Sequence, residues 1–386
     1  MVNKSQTIIS ACDIEAYFTG RLPAILDQIR NIVDIESPSG DEEASSAIAD
    51  FIEEQVLEVG DRVRFERIKV AGIGEHVIVR AFRSSKPSVL VLGHTDTVHP
   101  IGSKEKNPTR IEGNCFFGCG IFDMKANIIL IIETIKFLAG QMDLSLPPIT
   151  CVFTCDEEIG SPSGRTIIEK EARLAPRCYV FEPSSEGRVK TGRKGTGLYK
   201  VAARGIPAHA GLEPECGANA ILEIARQIEK ISKLNDPSRG TTVNVCTIRG
   251  GTATNVIPEF AECTADVRFT SMAAAKSVDG AIRGLRPYDP RISLHIEGGI
   301  NRPPLERSAE VVNLFAIARS RAAEFDYSLD ETQVGGASDG NFVAALGVPV
   351  LDGLGVTGDG AHTLNEHILI SDLAKRATLA TVLLAN

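Results

Sequence analysis

Two histidines and several carboxylates stand just beyond apolar runs in this chain. His94 and Asp96 follow the run 89–92, and Asp123 follows the glycine-rich turn Phe117-Gly118-Cys119-Gly120. Asp156, Glu157 and Glu158 follow the run 149–153, Glu182 follows 179–181, and His362 follows the glycine-rich stretch 355–360. Acids crowded at the end of a buried strand repel one another, and desolvating them is costly unless a cation or a proton compensates. Two histidines with three or four carboxylates, and no cysteine at ligand spacing, suit Zn²⁺ in a hydrolytic site. A pair of such ions needs a bridging carboxylate and sits ~3.5–4 Å apart. On extended backbone residues two apart point the same way, so Asp96 can support His94 from behind. Taken singly, each piece has a plainer reading: a solvated acidic loop, a satisfied His–Asp pair, a glutamate capping the turn before Pro183, a loop histidine. Their joint placement after successive strands argues for one site.

The elements that must position these residues follow from hydrophobic periodicity. Helical spacing of Leu22, Ile25, Leu26, Ile29 and Ile32 predicts a helix over 14–32, and Asp41-Glu42-Glu43 opens a second that runs towards Leu57. Strands are expected at 77–82, 89–92, 149–153 and 179–181, with helices at 127–138 and 165–172. That βαβ rhythm with short connections points to an α/β fold with a mostly parallel sheet, which takes ligands at the carboxyl ends of its strands. After Gly195 the order becomes βαββαβ, with strands at 198–204, 241–248, 260–269 and 292–296 and helices at 218–234 and 272–285. This is the order of a ferredoxin-like unit. A discontinuous catalytic domain, 1–195 and 303–386, is therefore expected around an inserted domain, 196–302.

Composition narrows the function classes. The 386 residues suffice for about two domains. The net charge of −9, with acids and bases interspersed, argues against nucleic acid or an anionic membrane as the main partner. No run is long enough to span a bilayer, and residues 1–10 lack the features of a secretory signal. The nine scattered cysteines form no CxxC pair and mostly sit in or beside apolar strands, which suits a reducing, cytoplasmic setting. Cys119 and Cys155 lie near the candidate site, with a buried structural role favoured over reactivity.

The motifs extend over nearly the whole chain. They are Ser37-Pro38-Ser39-Gly40-Asp41-Glu42, Gly93-His94-Thr95-Asp96-Thr97-Val98, Gly118-x-Gly120-x-x-Asp123-Met124-Lys125, Asp156-Glu157-Glu158-x-Gly160-Ser161 and Glu182-Pro183. They continue with His209-Ala210-Gly211, Asn255-Val256-Ile257-Pro258, Asp266-Val267-Arg268, Gly335-Gly336-x-Ser338-Asp339 and His362. In this combination the sequence resembles the zinc-dependent peptidase and amidohydrolase family of glutamate carboxypeptidase, acetylornithine deacetylase, succinyl-diaminopimelate desuccinylase and aminoacylase. The glutamate carboxypeptidase branch is the most similar.

The resemblance implies two zinc ions per chain, with Co²⁺ or Mn²⁺ as substitutes. His94 and Glu182 would hold one, Glu158 and His362 the other, and Asp123 would bridge. Glu157 matches the family's general base, acting on a water that zinc makes more acidic, and Asp96 orients His94. His209 matches a histidine that stabilises the oxyanion in a neighbouring subunit's site. Asn255 is implied as a further donor, Arg268 as the grip on the substrate's α-carboxylate, and Lys190 and Gly336 as substrate contacts. A cis peptide after Asp123 and a homodimer formed through the inserted lid domain are implied in the same way. The expected reaction is cleavage of an amide next to a free carboxylate, releasing a C-terminal amino acid from a small peptide or N-acyl amino acid. An N-acyl-amino-acid deacylase of the acetylornithine deacetylase or aminoacylase type is the alternative, and a non-catalytic peptide or metabolite binder is the remote one. Ala126-Asn127 replace two glycines common in the family, which suggests a re-set backbone behind Asp123. His99 and His367 match no ligand and read as loop or surface residues.

Overall fold

The computed structural model describes residues 10–141 and 146–385 and divides into two compact units. The first comprises residues 1–192, 307–333 and 338–386, and the second residues 193–306 with a short return at 334–337. That return carries Gly336, which the sequence assigned to the catalytic domain.

The first unit is an α/β layer around a six-stranded sheet. Its order is Val63–Val70, Gly74–Ala81, Ile149–Thr154, Val89–His94, Cys178–Val180, Val350–Leu351. The last four strands are parallel, and Gly74–Ala81 runs against its neighbours. Val89–His94 and Ile149–Thr154 are buried at every position, which is why they read as unbroken apolar runs rather than alternating ones. Fully burying each such Val, Leu, Ile or Phe side chain stabilises by about 1.5–3 kcal/mol. The strand Val63–Val70 has no counterpart in the expectation; its half-exposed, charged edge masks the apolar signal.

Helices cover this sheet. Ala11–Asp34 buries Ile14, Phe18, Ile25, Ile29 and Ile32 at helical spacing and starts at Ser10, whose hydroxyl accepts from Asp13 N. Asp41 caps Glu42–Leu57 in the same manner, accepting from Ala44 N at 3.0 Å. Ala126–Ala139 is buried nearly all round, between Ala11–Asp34 and Leu373–Leu384.

A four-stranded antiparallel sheet, not expected from the sequence, joins Gly358–Asp359, His367–Leu369, Cys115–Phe117 and Arg110–Glu112. Its pairing of Phe117 with His367 sets the glycine-rich turn before Asp123 beside the segment that carries His362. His367 therefore belongs to a strand, its ring 5.0 Å from that of Phe117, and is not a plain loop residue.

The second unit has the expected βαββαβ order. Its antiparallel sheet runs Thr242–Gly250, Phe260–Phe269, Gly195–Arg204, Ser293–Arg302, with helices Ala220–Ser232 and Met272–Arg283 packed on it. Tyr199, Val201, Ile224, Val267 and Ile282 centre a separate hydrophobic core. Among the described residues, no helix is long and apolar enough to cross a membrane.

Candidate metal centre

The carboxyl ends of the parallel strands lie along one edge of the first unit's sheet. Register pairs His94 with Thr154, so His94 and the acidic turn after Thr154 emerge side by side; Glu182 follows the neighbouring Cys178–Val180. His94 Nδ1 donates to the backbone carbonyl of Asp96 at 2.9 Å, which leaves Nε2 as the nitrogen that could hold a metal. That nitrogen faces Asp123 Oδ1 at 3.1 Å and Glu182 Oε1 at 3.5 Å. His362 Nε2 faces the other Asp123 oxygen, Oδ2, at 3.4 Å and Glu158 Oε2 at 3.3 Å. All five expected ligands therefore converge, with Asp123 turning one oxygen to each histidine. His362 sits in the left-handed region at φ +64, and the Asp123–Met124 peptide is cis.

Close packing supports the ligands. Met124 lies against Gly93, where a Cβ would come within 2.6 Å of its methyl carbon, and its sulfur accepts from His94 N at 3.3 Å. Asp96 supports more than His94. Its carboxylate also takes the Ser39 hydroxyl at 2.6 Å and the backbone N–H groups of Glu157 and Glu158 at 3.2 and 3.1 Å. One buried aspartate thus aligns His94 with both glutamates. Asp156 is fully buried, and its Oδ2 accepts from Ser163 N and Oγ and from Gly164 N, tying the acidic turn to the start of helix Gly164–Ala172. Asp339 holds the same turn through the hydroxyls of Thr154 and Ser161.

The electrostatics call for positive charge. Burial alone would push the His94 imidazole down, but its contacts with Asp123, Asp96 and Glu182 carry it well above its ordinary value. Hydrogen bonds to Asp123 and Glu158 lift His362 to about 10. Burial would raise Asp123, yet the two imidazoles hold it well below the usual carboxylate range. Burial dominates at Glu158 and raises it. Glu158 Oε1 is buried without a hydrogen-bond partner among the described residues. The ligand atoms of His94, Asp123 and Glu158 lie within 4.8 Å of one another. An orphaned carboxylate oxygen in a nitrogen and oxygen donor set fits a divalent cation such as zinc.

Lys190, in the first unit, is buried with its backbone paired to Asp352. In the second unit, Ala208–His209 pairs with Val256–Ile257, and Ala210 N donates to Asn255 O, so His209 and Asn255 adjoin. His209 Nδ1 accepts from Gly211 N and Leu212 N, which places the ring proton on Nε2 of an exposed side chain. Arg268 forks onto Asp266 at 2.8 and 2.9 Å, as in a surface ion pair. Gly336 O accepts from Arg193 Nη1 at 3.3 Å.

The model of Peptidase family M20/M25/M40 matches residues 90–386. The chain belongs to this family. Carboxypeptidase G2 from Pseudomonas sp. is 30% identical over 380 residues, spanning 95% of this M20 chain and 90% of the relative. A succinyl-diaminopimelate desuccinylase from Verminephrobacter eiseniae is 27% identical over 315 residues, with 76% and 77% covered. Among solved structures, the aminopeptidase PepT from Bacillus cereus superposes with a TM-score of 0.76 at 22% identity, covering 94% of this chain and 98% of its own, a likeness of fold. This M20 protein is a hydrolase of the metal-dependent peptidase class.

Several features of the M20 site were not legible in the sequence. His99 is buried, not a surface residue, and its Nε2 meets Glu366 Oε2 at 2.7 Å. Glu366 itself gave no signal, since nothing around it marks a glutamate as fully buried. Ala126 takes an ordinary helical conformation at φ −60, so no glycine is needed there; Asn127 stitches Phe122 O to Val356 N instead. The expected re-setting behind Asp123 is thus a side-chain tie. Five of the nine cysteines are buried, as expected for most of them, and Cys12, Cys216 and Cys246 are exposed. Burial pushes the Cys155 thiol up to about 12 and raises Cys119 as well, so neither is a poised nucleophile.

Proposed function

We propose that this M20 hydrolase uses two zinc ions to cleave an amide next to a free carboxylate, releasing a C-terminal amino acid from a small peptide or N-acyl amino acid. The observation that carries this reading is the division of Asp123, one oxygen towards His94, which also faces Glu182, and the other towards His362, which also faces Glu158. His94 and Glu182 would hold one ion, Glu158 and His362 the other, and Asp123 both. When bound, such ions polarise a carbonyl and bring the pKa of water towards neutrality.

The chain's own residues supply the proton chemistry. Glu157 takes the proton of the attacking water and returns it to the leaving nitrogen, so that the amine departs neutral. Its backbone is held by Asp96 Oδ1, and it stands next to the ligand Glu158. The Nε2–H of His209, with Asn255 beside it, is the proposed donor to the developing oxyanion. In this reading the histidine serves a neighbouring subunit of a homodimer formed through the second unit. Arg268 is the proposed fork for the substrate carboxylate, with Lys190 and Gly336 as further contacts. A cytoplasmic setting remains part of the reading.

The similarity to carboxypeptidase G2 favours peptidase action at a C-terminal glutamate-type residue. The desuccinylase relative keeps N-acyl-amino-acid deacylation as a second reading. A release assay across dipeptides and N-acyl amino acids ending in Glu, Asp, Ala, Leu, Phe and ornithine separates the two, alongside metal analysis of the same sample. The proposal expects preference for an acidic C-terminal residue and about two zinc ions per chain. Preference for N-acyl ornithine or aliphatic substrates would move the assignment to the deacylase, and one ion per chain would reject the bridged site.

A further inference from the structure

Glu366 lies four residues after His362 and is completely buried, and both its carboxylate oxygens are taken by donors. Oε1 accepts from the backbone N–H groups of Phe122 and Asp123, each at 2.9 Å. Oε2 accepts from Gly120 N at 2.8 Å and from His99 Nε2 at 2.7 Å. The Glu366 carbonyl takes a further bond from Gly118 N at 3.2 Å. Gly120 makes the approach possible, because it is left-handed at φ +70 and a Cβ there would come within 2.5 Å of Thr97. His99 is five residues beyond His94, and Asp123 ends the 120–123 turn. One carboxylate therefore ties together the three segments that carry His94, Asp123 and His362.

We propose that Glu366 is a positioning residue of the dinuclear centre, holding the Asp123 turn, and through His99 the His94 segment, at the spacing where Asp123 faces both histidines. This rests on the reading of Asp123 as the bridging ligand. The chemistry of the side chain is specific to the task. An ionised carboxylate accepts at both oxygens, and here all four partners are donors. A glutamine of the same shape keeps one accepting oxygen and turns an NH₂ group towards N–H donors. Groups that orient metal ligands from behind typically change metal affinity by about 10–100-fold when substituted.

The test compares wild type, Glu366→Gln and His99→Leu, each loaded with Zn²⁺ or Co²⁺. Metal affinity is read by competition with a chelating dye, and site geometry by the visible absorption of the Co²⁺ form, well below each variant's melting temperature. The expected result is two ions in the wild type, roughly 10–100-fold weaker retention of at least one ion in Glu366→Gln with an altered Co²⁺ spectrum, and a smaller shift of both readings in His99→Leu. A merely structural role would lower melting temperature while leaving affinity and spectrum unchanged. Wild-type affinity and spectrum in both variants would overturn the proposal. If Glu366→Gln does not fold, His99→Leu decides by the same two readings. A wild type that binds fewer than two ions instead rejects the bridged site on which the proposal stands.

Discussion

At the scale of residues, three neighbouring acids stand in three different surroundings. Asp156 is enclosed by Ser163 and Gly164 and anchors the turn. Glu158 faces His362 and has one buried oxygen without a hydrogen-bond partner among the described residues, the proposed seat of a cation. Glu157 lies between them with the proposed proton-transfer role. Removing a general base typically costs about 10²–10⁴-fold in rate. Glu157→Ala should lose that much kcat while metal analysis still finds the wild-type content. Near-normal turnover would remove Glu157 from the chemistry, and loss of metal would make it a ligand instead. Asp96 shows how far one residue can reach: it serves His94, Ser39 and two backbone N–H groups at once. The sequence suggested only the first of these, because i and i+2 on a strand are neighbours. The others join residues far apart along the chain.

At the scale of elements, the parallel strands were legible because burial on both faces leaves an unbroken apolar signature. The sheet that pairs Cys115–Phe117 with His367–Leu369 was not, since its strands of two or three residues are too short for a period. It is nevertheless the element that sets Asp123 beside His362. Ion pairs tie other elements together. Arg80, on the strand Gly74–Ala81, forks onto Glu171 of the helix Gly164–Ala172 at 2.8 and 2.9 Å. The Arg80 hydrogen bond, against the opposing effect of burial, holds the Glu171 carboxyl below its ordinary value. Its folded pKa is thus lower than its unfolded one, so its contribution is fully present above about pH 4.5 and is lost as pH falls through the folded value. Glu171→Gln should lower the urea midpoint at neutral pH and lessen the further loss on acidification below about pH 4.5. Equal acid sensitivity in the two proteins would exclude this pair from the pH response.

At the scale of the whole molecule, the ligand cluster belongs to one unit, and His209, Asn255, Arg268 and Gly336 belong to the other. The proposed metal ligands and proton carrier thus belong to one unit, while the proposed oxyanion donors and most of the proposed substrate contacts belong to the other. Arg268 is engaged by Asp266 in this structure, so gripping a substrate carboxylate requires exchange of one carboxylate partner for another. Hydrogen bonds to charged groups are worth about 1.5–3 kcal/mol. Arg268→Ala should therefore raise KM roughly 10–100-fold for substrates with a free C-terminal carboxylate and leave carboxyl-blocked analogues little changed. An equal rise for both classes would return Arg268 to a structural ion pair.

The sequence by itself determined the rhythm of the parallel strands and main helices, the βαββαβ order of the second unit, the family, and the five residues that converge as candidate ligands. Each of these is written in local periodicity or in a motif of a few adjacent residues. Only the tertiary structure decided that Asp123 divides its oxygens between two histidines, that a small sheet brings 115–117 against 367–369, and that His99 and Glu366 are buried together behind the site. Those features depend on contacts between distant segments, and a single charged side chain carries no local mark of whether it will be solvated or enclosed.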